Sequence, residues 1–356
     1  MLRALDPGAQ YFTPVRIYLG EVMNMKRKRI ALLYGGVGVE HEVSVSGAKY
    51  LLDVIDKKRY LPYPVFITKD GRWYAEGNPE RPVCVTVGSV GALTEGERAV
   101  PIRAAFPLLH GDGGEDGKVQ GLLECAGIPY VGCKVTAGAV ASDKILTKDI
   151  AAALGIPTVP GIAIVNDIST EGARVLAESR IGYPMFIKPS GLGSSLGAHA
   201  VYSPEEFAVH FDAAIRLGGK RVLIEELIED KRELECAYLA HSGGSVFTPP
   251  GEIISHGVYD YDEKYGKNSR TVTRPKASVP DKISETVRDY SERLVSRLGI
   301  SGLSRIDFFL SGGELLFNEI NTMPGFTETS LYPAMIAAAG IDPTELVTEL
   351  IEGAAL

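Results

Sequence analysis

Residues 317–325 read Phe-Asn-Glu-Ile-Asn-Thr-Met-Pro-Gly, and Leu315-Leu316-Phe317 leads into them as a strand entering a core. Side chains alternate along a strand, so Glu319 and Asn321 emerge on one face. Upstream, Leu303 to Leu310 reads as a second strand, joined to Glu314 to Glu319 by the turn residues Ser311-Gly312-Gly313. A hairpin that sets Asp307 near Phe317 gathers Arg305, Asp307, Glu319 and Asn321 on one face. These oxygens suit a magnesium ion whose shell is completed by water and substrate phosphates. Spacing alone fits a solvated face carrying the same charges equally well.

The rest of the chain supplies a frame for that hairpin. With 356 residues, 45% of them hydrophobic, it is long enough for two or three domains. Net charge is −8 with acids and bases interspersed, which leaves no electrostatic footprint for nucleic acid or an anionic membrane. The cysteines Cys84, Cys125, Cys133 and Cys236 show neither CxxC nor zinc spacing and read as reduced thiols, in keeping with a cytoplasmic protein. No stretch reaches the apolar length of a membrane span, and residues 1–24 lack the h-region of a signal peptide. They read as an N-terminal extension, with the folded part opening at Met25.

Strands at Ile30–Tyr34, Pro64–Ile67 and Ala104–Leu109 alternate with a helix from about Val43 to Ile55, which predicts a parallel α/β sheet with its sites at the carboxyl ends of the strands. Ser142-Asp143 is set to cap a helix from Lys144 to Leu154 that Gly155 stops. Further strands are expected at Met185–Lys188 and Arg221–Glu225, with a capping box at Ser203 opening a helix to Leu217 between them. Gly251 to Pro280 reads as one long polar loop, and 281–298 as an amphipathic helix ended by Gly299. The expected units are 25–143, 144–231 and 232–356.

Three other stretches carry chemistry. In FIKPSGLGSSLG (186–197) a strand ends at Lys188 before Gly191, Gly193 and Gly197, a loop able to turn backbone N–H groups toward an anion. It lacks the order of a P-loop, and a plain tight turn fits it too. Glu225-Glu226-Leu227-Ile228 ends a strand where amides and a carboxylate could read an adenine edge. In GGVGVEHEVSVSG (35–47) the glycines suggest a dinucleotide loop, but the third glycine is missing; Glu40, His41 and Glu42 put charge at the end of the first strand instead. His110, in LLHGDGGEDG, sits in a similar place at a later strand.

Taken in order, GGVGVEHEVSVSGA, PLLHGDGGEDGKVQGLLECAGIPYVGC, SDK, FIKPSGLGSSLG, IEE, YDYDEKY, SRIDFF and FNEINTMPGFTETSLYP resemble the motifs of D-alanine:D-alanine ligases, members of the ATP-grasp superfamily. The resemblance runs from residue 29 to about 340. It implies an α/β fold of three domains, the first Rossmann-like, with ATP held between the second and third, and two Mg2+ or Mn2+ ions. Lys144, Lys188, Lys264, Glu225, Glu226, Ile228, Glu233 and Asn318 would bind ATP; Asp307, Glu319 and Asn321 would hold the metal. Glu40 would take the ammonium of the first D-alanine, with Ser194, Tyr265 and His110 nearby. Arg305 and the Gly325 N–H would form an oxyanion site, and Ser330 and Leu331 the second-substrate pocket. A polar lid over 255–270, peptidoglycan precursor synthesis and a homodimer are also implied.

The implied reaction makes a D-alanyl phosphate that a second D-alanine attacks. The rival readings are a D-alanine:D-lactate or D-alanine:D-serine ligase of the same fold, an NAD-dependent dehydrogenase using the Gly35-Gly36 loop, and a silent nucleotide-binding module. The lid sequence, ending Glu263-Lys264-Tyr265, resembles that of dipeptide-forming enzymes.

Overall fold

In the computed structural model, residues 27–88, 91–165, 167–193, 196–218, 220–254 and 271–355 are described. The N-terminal extension, Ser194, Lys264, Tyr265 and the expected lid fall outside them.

The first unit contains β1 (Lys28–Gly35), α1 (His41–Val54), β2 (Tyr60–Ile67), β3 (Trp73–Ala75), the small meander β4 (Val83–Val85), β5 (Ala92–Glu95) and β6 (Arg98–Pro101), then β7 (Ala104–Pro107), α2 (Lys118–Cys125) and α3 (Val135–Ser142). Its main sheet has the order β3-β2-β1-β7, with β1 parallel to both β2 and β7. Consecutive crossovers thus leave β1 in opposite directions. A crevice opens at the carboxyl ends of β1 and β7, where open α/β sheets bind ligands. The loops entering it are 36–40 and 108–117, and they carry Glu40 and His110.

After α4 (Lys144–Ala153), whose Ala151 packs into the core around Phe308 and Phe317, the second unit contains β8 (Gly161–Ile164), α5 (Thr170–Arg180), β9 (Met185–Pro189), β10 (His199–Val201), α6 (Pro204–Gly218) and β11 (Val222–Glu226). Its antiparallel sheet, β10-β9-β11-β8, packs Ile187, Val222 and Ile224 against Phe207 and Phe211 in a core of its own. The Lys144 helix forms as expected: the Asp143 carboxylate accepts from the N–H groups of Ile145 and Leu146, satisfying two of the orphan donors of its first turn.

The third unit contains β12 (Arg232–His241), β13 (Gly244–Phe247), β14 (Gly251–Ile254), β15 (Val272–Arg274), α7 (Asp281–Leu298), β16 (Leu303–Ser311), β17 (Glu314–Asn321), α8 (Leu331–Ala338) and α9 (Pro343–Glu352). The strand order is β15-β14-β12-β16-β17. The expectation of one loop over 251–280 is corrected at both ends. Glu252 pairs with Leu234 and Arg274, so backbone pairing at a sheet edge overrides the polar composition. The first and third units share a core, in which Ile30, Leu32 and Phe106 meet Leu239, Tyr332 and Leu350. Lys28 and Tyr60 also clasp Glu352, each at 2.6 Å. Among the described residues no helix is long and apolar enough to cross a membrane.

The β16–β17 register departs from the expected one. Gly312 and Gly313 both take positive φ (57° and 85°), which makes a two-residue hairpin turn with Ser311 opposite Glu314. Phe308, rather than Asp307, then faces Phe317. The register shifts between Asp307 and Phe308, placing Asp307 opposite Glu319 and Arg305 opposite Asn321. One extra residue on β17, Asn318, is absorbed as a bulge. Strict alternation from Phe317 would have turned Glu319 into the core and Ile320 out. With the bulge, Phe317 and Ile320 both join the core formed with Ile306, Phe308 and Leu315, while Asn318 and Glu319 both face the cleft.

Candidate active site

Between the small antiparallel sheet and the face of β12, β16 and β17 lies a cleft of about 1000 Å³, counted out to its open mouth. That is ample for a nucleotide-sized ligand. It brings together Lys144, Lys188, Glu225, Glu226, Ile228, Glu233, Arg305, Asp307, Asn318 and Glu319.

The charges in the cleft are arranged as acid–base contacts. Lys188 Nζ lies 2.6 Å from Glu225 Oε2 and donates to Asn318 Oδ1 at 3.3 Å. Lys144, at the start of α4, donates to the Leu192 carbonyl at 2.8 Å and stands 3.2 Å from Glu319 Oε2. The Leu192 contact, with Lys144 N–H to Ser190 O at 3.0 Å, ties the glycine-rich loop to the N-terminus of the helix. Arg305 Nε and Nη2 donate to the two oxygens of Asp307 at 2.8 and 2.6 Å, and Nε lies 3.1 Å from Glu235. Burial disfavours the Arg305 charge, but Asp307 and Glu235 outweigh it and hold the guanidinium well above its ordinary range. Asn321 donates its amide to Asp307 Oδ2 at 3.0 Å.

Asp307 and Glu319 therefore face each other across the hairpin with cationic or N–H partners against their oxygens. Among the described residues, no group of three His, Cys, Asp or Glu side chains is placed to hold a metal ion. The protein offers two carboxylates and an amide, a donor set that fits magnesium because that ion retains waters and takes phosphate oxygens.

A second, smaller pocket adjoins the cleft, and the two share Lys144, Leu192, Gly193 and Glu319 as lining. Gly111, Glu115, Asn321 and Thr322 are among the other residues of its wall. Glu40 lies beside it: a Cβ on Gly111 would come within 2.8 Å of Glu40 Oε2, and one on Gly193 within 3.3 Å. Gly111 takes φ 65°, and any side chain there would crowd that carboxylate where the β1, β7 and glycine-rich loops converge. His110 is buried, its Nδ1 2.8 Å from the Met323 carbonyl, and Nε2 has no hydrogen-bond partner among the described residues. Ser330 and Leu331 are set apart from both pockets, at the N-terminus of α8, where Ser330 Oγ accepts from Thr327 N–H at 3.0 Å. The Gly325 position lies beside Ser330, a Cβ there standing 3.1 Å from Ser330 Oγ.

The expected adenine edge is partly committed within the protein. The Glu226 N–H donates to Pro160 O at 2.9 Å and the Leu227 N–H to Pro184 O at 3.1 Å, while the Glu225 carboxylate is buried between two lysines.

Three residues absent from the sequence reading belong to this site. Lys148 is buried and contacts Glu225; burial draws its pKa down to about 8 against the pull of that carboxylate. Burial likewise opposes the Glu225 charge, yet Lys148 and Lys188 hold its carboxyl below the ordinary range. Glu235 backs Arg305. Glu115 accepts from Gly111 N–H at 2.9 Å and Met323 N–H at 2.8 Å, joining the β7 loop to the end of β17. Burial, then the nearby Glu40, push the Glu115 carboxyl up.

Comparison with known proteins agrees with this architecture. Residues 29–133 match the family model of the D-ala D-ala ligase N-terminus, and residues 150–352 that of the D-ala D-ala ligase C-terminus. The chain is 40% identical to a D-alanine--D-alanine ligase of Deinococcus radiodurans, across 92% of this chain and 98% of the relative. It is 38% identical to the D-alanine--D-alanine ligase A of Mesorhizobium japonicum, across 93% and 98%. Among solved structures it superposes on D-alanyl-alanine synthetase A of Vibrio cholerae with a TM-score of 0.85, at 32% identity over 93% of this chain and 99% of that one. The VanG D-Ala:D-Ser ligase of Enterococcus faecalis gives a TM-score of 0.82 at 32% identity, over 92% and 99%. With its fold, its cleft and these relatives in agreement, the chain belongs to the D-alanine–D-alanine ligase family of three-domain ATP-grasp enzymes.

Proposed function

We propose that the chain joins two D-alanine molecules to D-alanyl-D-alanine at the expense of ATP, for peptidoglycan precursor synthesis in the cytoplasm. The observation that carries this reading is the shared wall of the two pockets: Lys144, Gly193 and Glu319 border both the large cleft and the pocket beside Glu40. A triphosphate lying in the cleft ends where an amino acid in the second pocket begins. The carboxylate oxygen of the first D-alanine then attacks the γ-phosphorus and ADP departs, leaving an acyl phosphate. The amine of the second D-alanine attacks the acyl carbon; phosphate leaves and the amine loses its proton.

The residues divide this work by charge and position. Glu40 anchors the first ammonium, and His110, whose buried Nε2 has no hydrogen-bond partner among the described residues, lies near the same substrate. Lys144 and Lys188 hold the phosphates, assisted by Lys264, with Asn318 against Lys188; Glu225, Glu226, Ile228 and Glu233 frame the nucleoside side. Arg305 and the Gly325 N–H receive the oxyanion of the tetrahedral intermediate, whose charge such donors stabilise most. Asp307, Glu319 and Asn321 would hold two magnesium or manganese ions, which when bound neutralise charge on the transferring phosphoryl group. Ser330 and Leu331 border the second substrate, while Ser194, Tyr265 and a 255–270 lid shield an acyl phosphate from water. Units of 25–143, 144–231 and 232–356 and a homodimer complete the proposal.

Phosphate release is expected only when ATP, magnesium and D-alanine are present together. The D-Ala:D-Ser likeness favours one second reading, in which D-serine enters the second-substrate pocket. In a competition between D-alanine, D-serine and D-lactate, we expect D-alanyl-D-alanine as the main product. Predominant D-alanyl-D-serine would move the chain to the second reading, and a nicotinamide absorbance change without ATP would contradict both.

A further inference from the structure

Lys148 is a buried cation beside the cleft to which the proposed chemistry gives no task. It lies four residues after Lys144 on α4, so the two side chains leave the same face of the helix one turn apart. Lys144 reaches the cleft. Lys148 points deeper, is 7% exposed, and is absent from the lining of either pocket. Its ammonium meets Glu225 Oε1 and lies 3.4 Å from the Phe317 carbonyl. The other oxygen of Glu225 holds Lys188 at 2.6 Å. One buried carboxylate is thus shared between two ammoniums, one inside the protein and one in the cleft.

A carboxylate paired with Lys188 alone would cancel the charge that Lys188 brings to a phosphate. A second ammonium on the same carboxylate restores it: the trio Lys148, Glu225, Lys188 carries net +1, and the surplus faces the cleft. We propose that Lys148 is a positioning residue for the nucleotide, holding Glu225 from behind so that Lys188 keeps its positive charge for the phosphates. This rests on the nucleotide reading of the cleft given above. Burial brings the Lys148 pKa to about 8, so the group still carries its proton at pH 7.

The test is equilibrium binding of ADP and of adenosine to Lys148→Met, by competition against a fluorescent ADP analogue with magnesium present. ADP should bind about tenfold more weakly than to the wild type, and adenosine within about twofold, because only phosphates feel the lost charge. A merely structural role would weaken both ligands alike. The same substitution made on a Glu225→Gln background should change ADP affinity by less than about twofold, since without the carboxylate that opposes it burial leaves Lys148 uncharged there and its removal takes no charge away. That comparison also serves if Lys148→Met alone does not fold. Equal losses for ADP and adenosine, unchanged ADP binding, or a tenfold loss on the Gln background would each overturn the role of Lys148. Failure of the wild type to bind ADP at all would instead bring down the nucleotide reading beneath it.

Discussion

Replacing Glu319 with Gln is expected to lower kcat by about a thousandfold, in line with the loss of one charged partner at a phosphoryl-transfer site. The substitution keeps shape and a hydrogen-bonding oxygen but removes the charge that stands 3.2 Å from Lys144 and opposite Asp307. Since the Glu319 side chain is only partly buried and Ile320 carries the packing on the core side, cooperative thermal unfolding should persist. Steady-state phosphate release with saturating ATP and D-alanine measures the effect. A kcat within about tenfold of the wild type would remove Glu319 from the metal seat.

Arg305 should show the second largest effect, and on two observables. Its guanidinium is the cation between Asp307 and the buried Glu235, so Arg305→Met leaves two carboxylates facing each other without it. Breaking a buried pair in this way costs about 3–5 kcal/mol of stability. Turnover should fall about a thousandfold as well, through loss of the oxyanion partner. Arg305→Lys separates the two. Lysine keeps the charge but not the planar fork that bonds both oxygens of Asp307, so most of the stability should return while kcat remains about a hundredfold down. Urea unfolding and single-turnover kinetics on the pair of variants provide the readings. A lysine variant with more than half of wild-type turnover would contradict the oxyanion role.

The contrast between Glu319 and Arg305 also marks how far the chain could be read without coordinates. Helices with strong caps were legible, since Asp143 and Gly299 act locally: the first bonds two N–H groups of its own helix, and the second takes the left-handed conformation that ends one. The three parallel strands of the first sheet were legible for a similar reason, as apolar runs leading into polar or glycine-rich loops, whereas the short antiparallel edge strand β3 was not. The register of the metal hairpin was not, because a three-residue turn was read where Gly312-Gly313 makes a two-residue one. A signal was nevertheless present. The core positions Leu315, Phe317 and Ile320 are spaced by two and then by three, which a regular strand cannot satisfy without a bulge.

Lys148 and Glu235 were reachable from periodicity as well, one a helical turn beyond Lys144 and the other two strand residues beyond Glu233. Glu115 was not. Its bond to Gly111 is local, but its bond to Met323, 208 residues away, depends on how the first and third units pack. The same holds for Glu225, whose position at a strand end suggested an open adenine edge, whereas tertiary packing buries it between Lys148 and Lys188. Local pattern specifies which residues leave an element on one face; it does not specify what packs against that face.

In the proposed enzyme, Asp307 and Glu319 would hold divalent ions against a triphosphate in the cleft that Lys144 and Lys188 line. The most direct measurement is a crystal structure with manganese and a non-hydrolysable ATP analogue, read by anomalous scattering. The account predicts anomalous peaks bonded to oxygens of Asp307 and Glu319 and to phosphate oxygens, with Arg305 released from at least one Asp307 oxygen. Manganese and the triphosphate found elsewhere, with Arg305 still bound to both oxygens of Asp307, would contradict it.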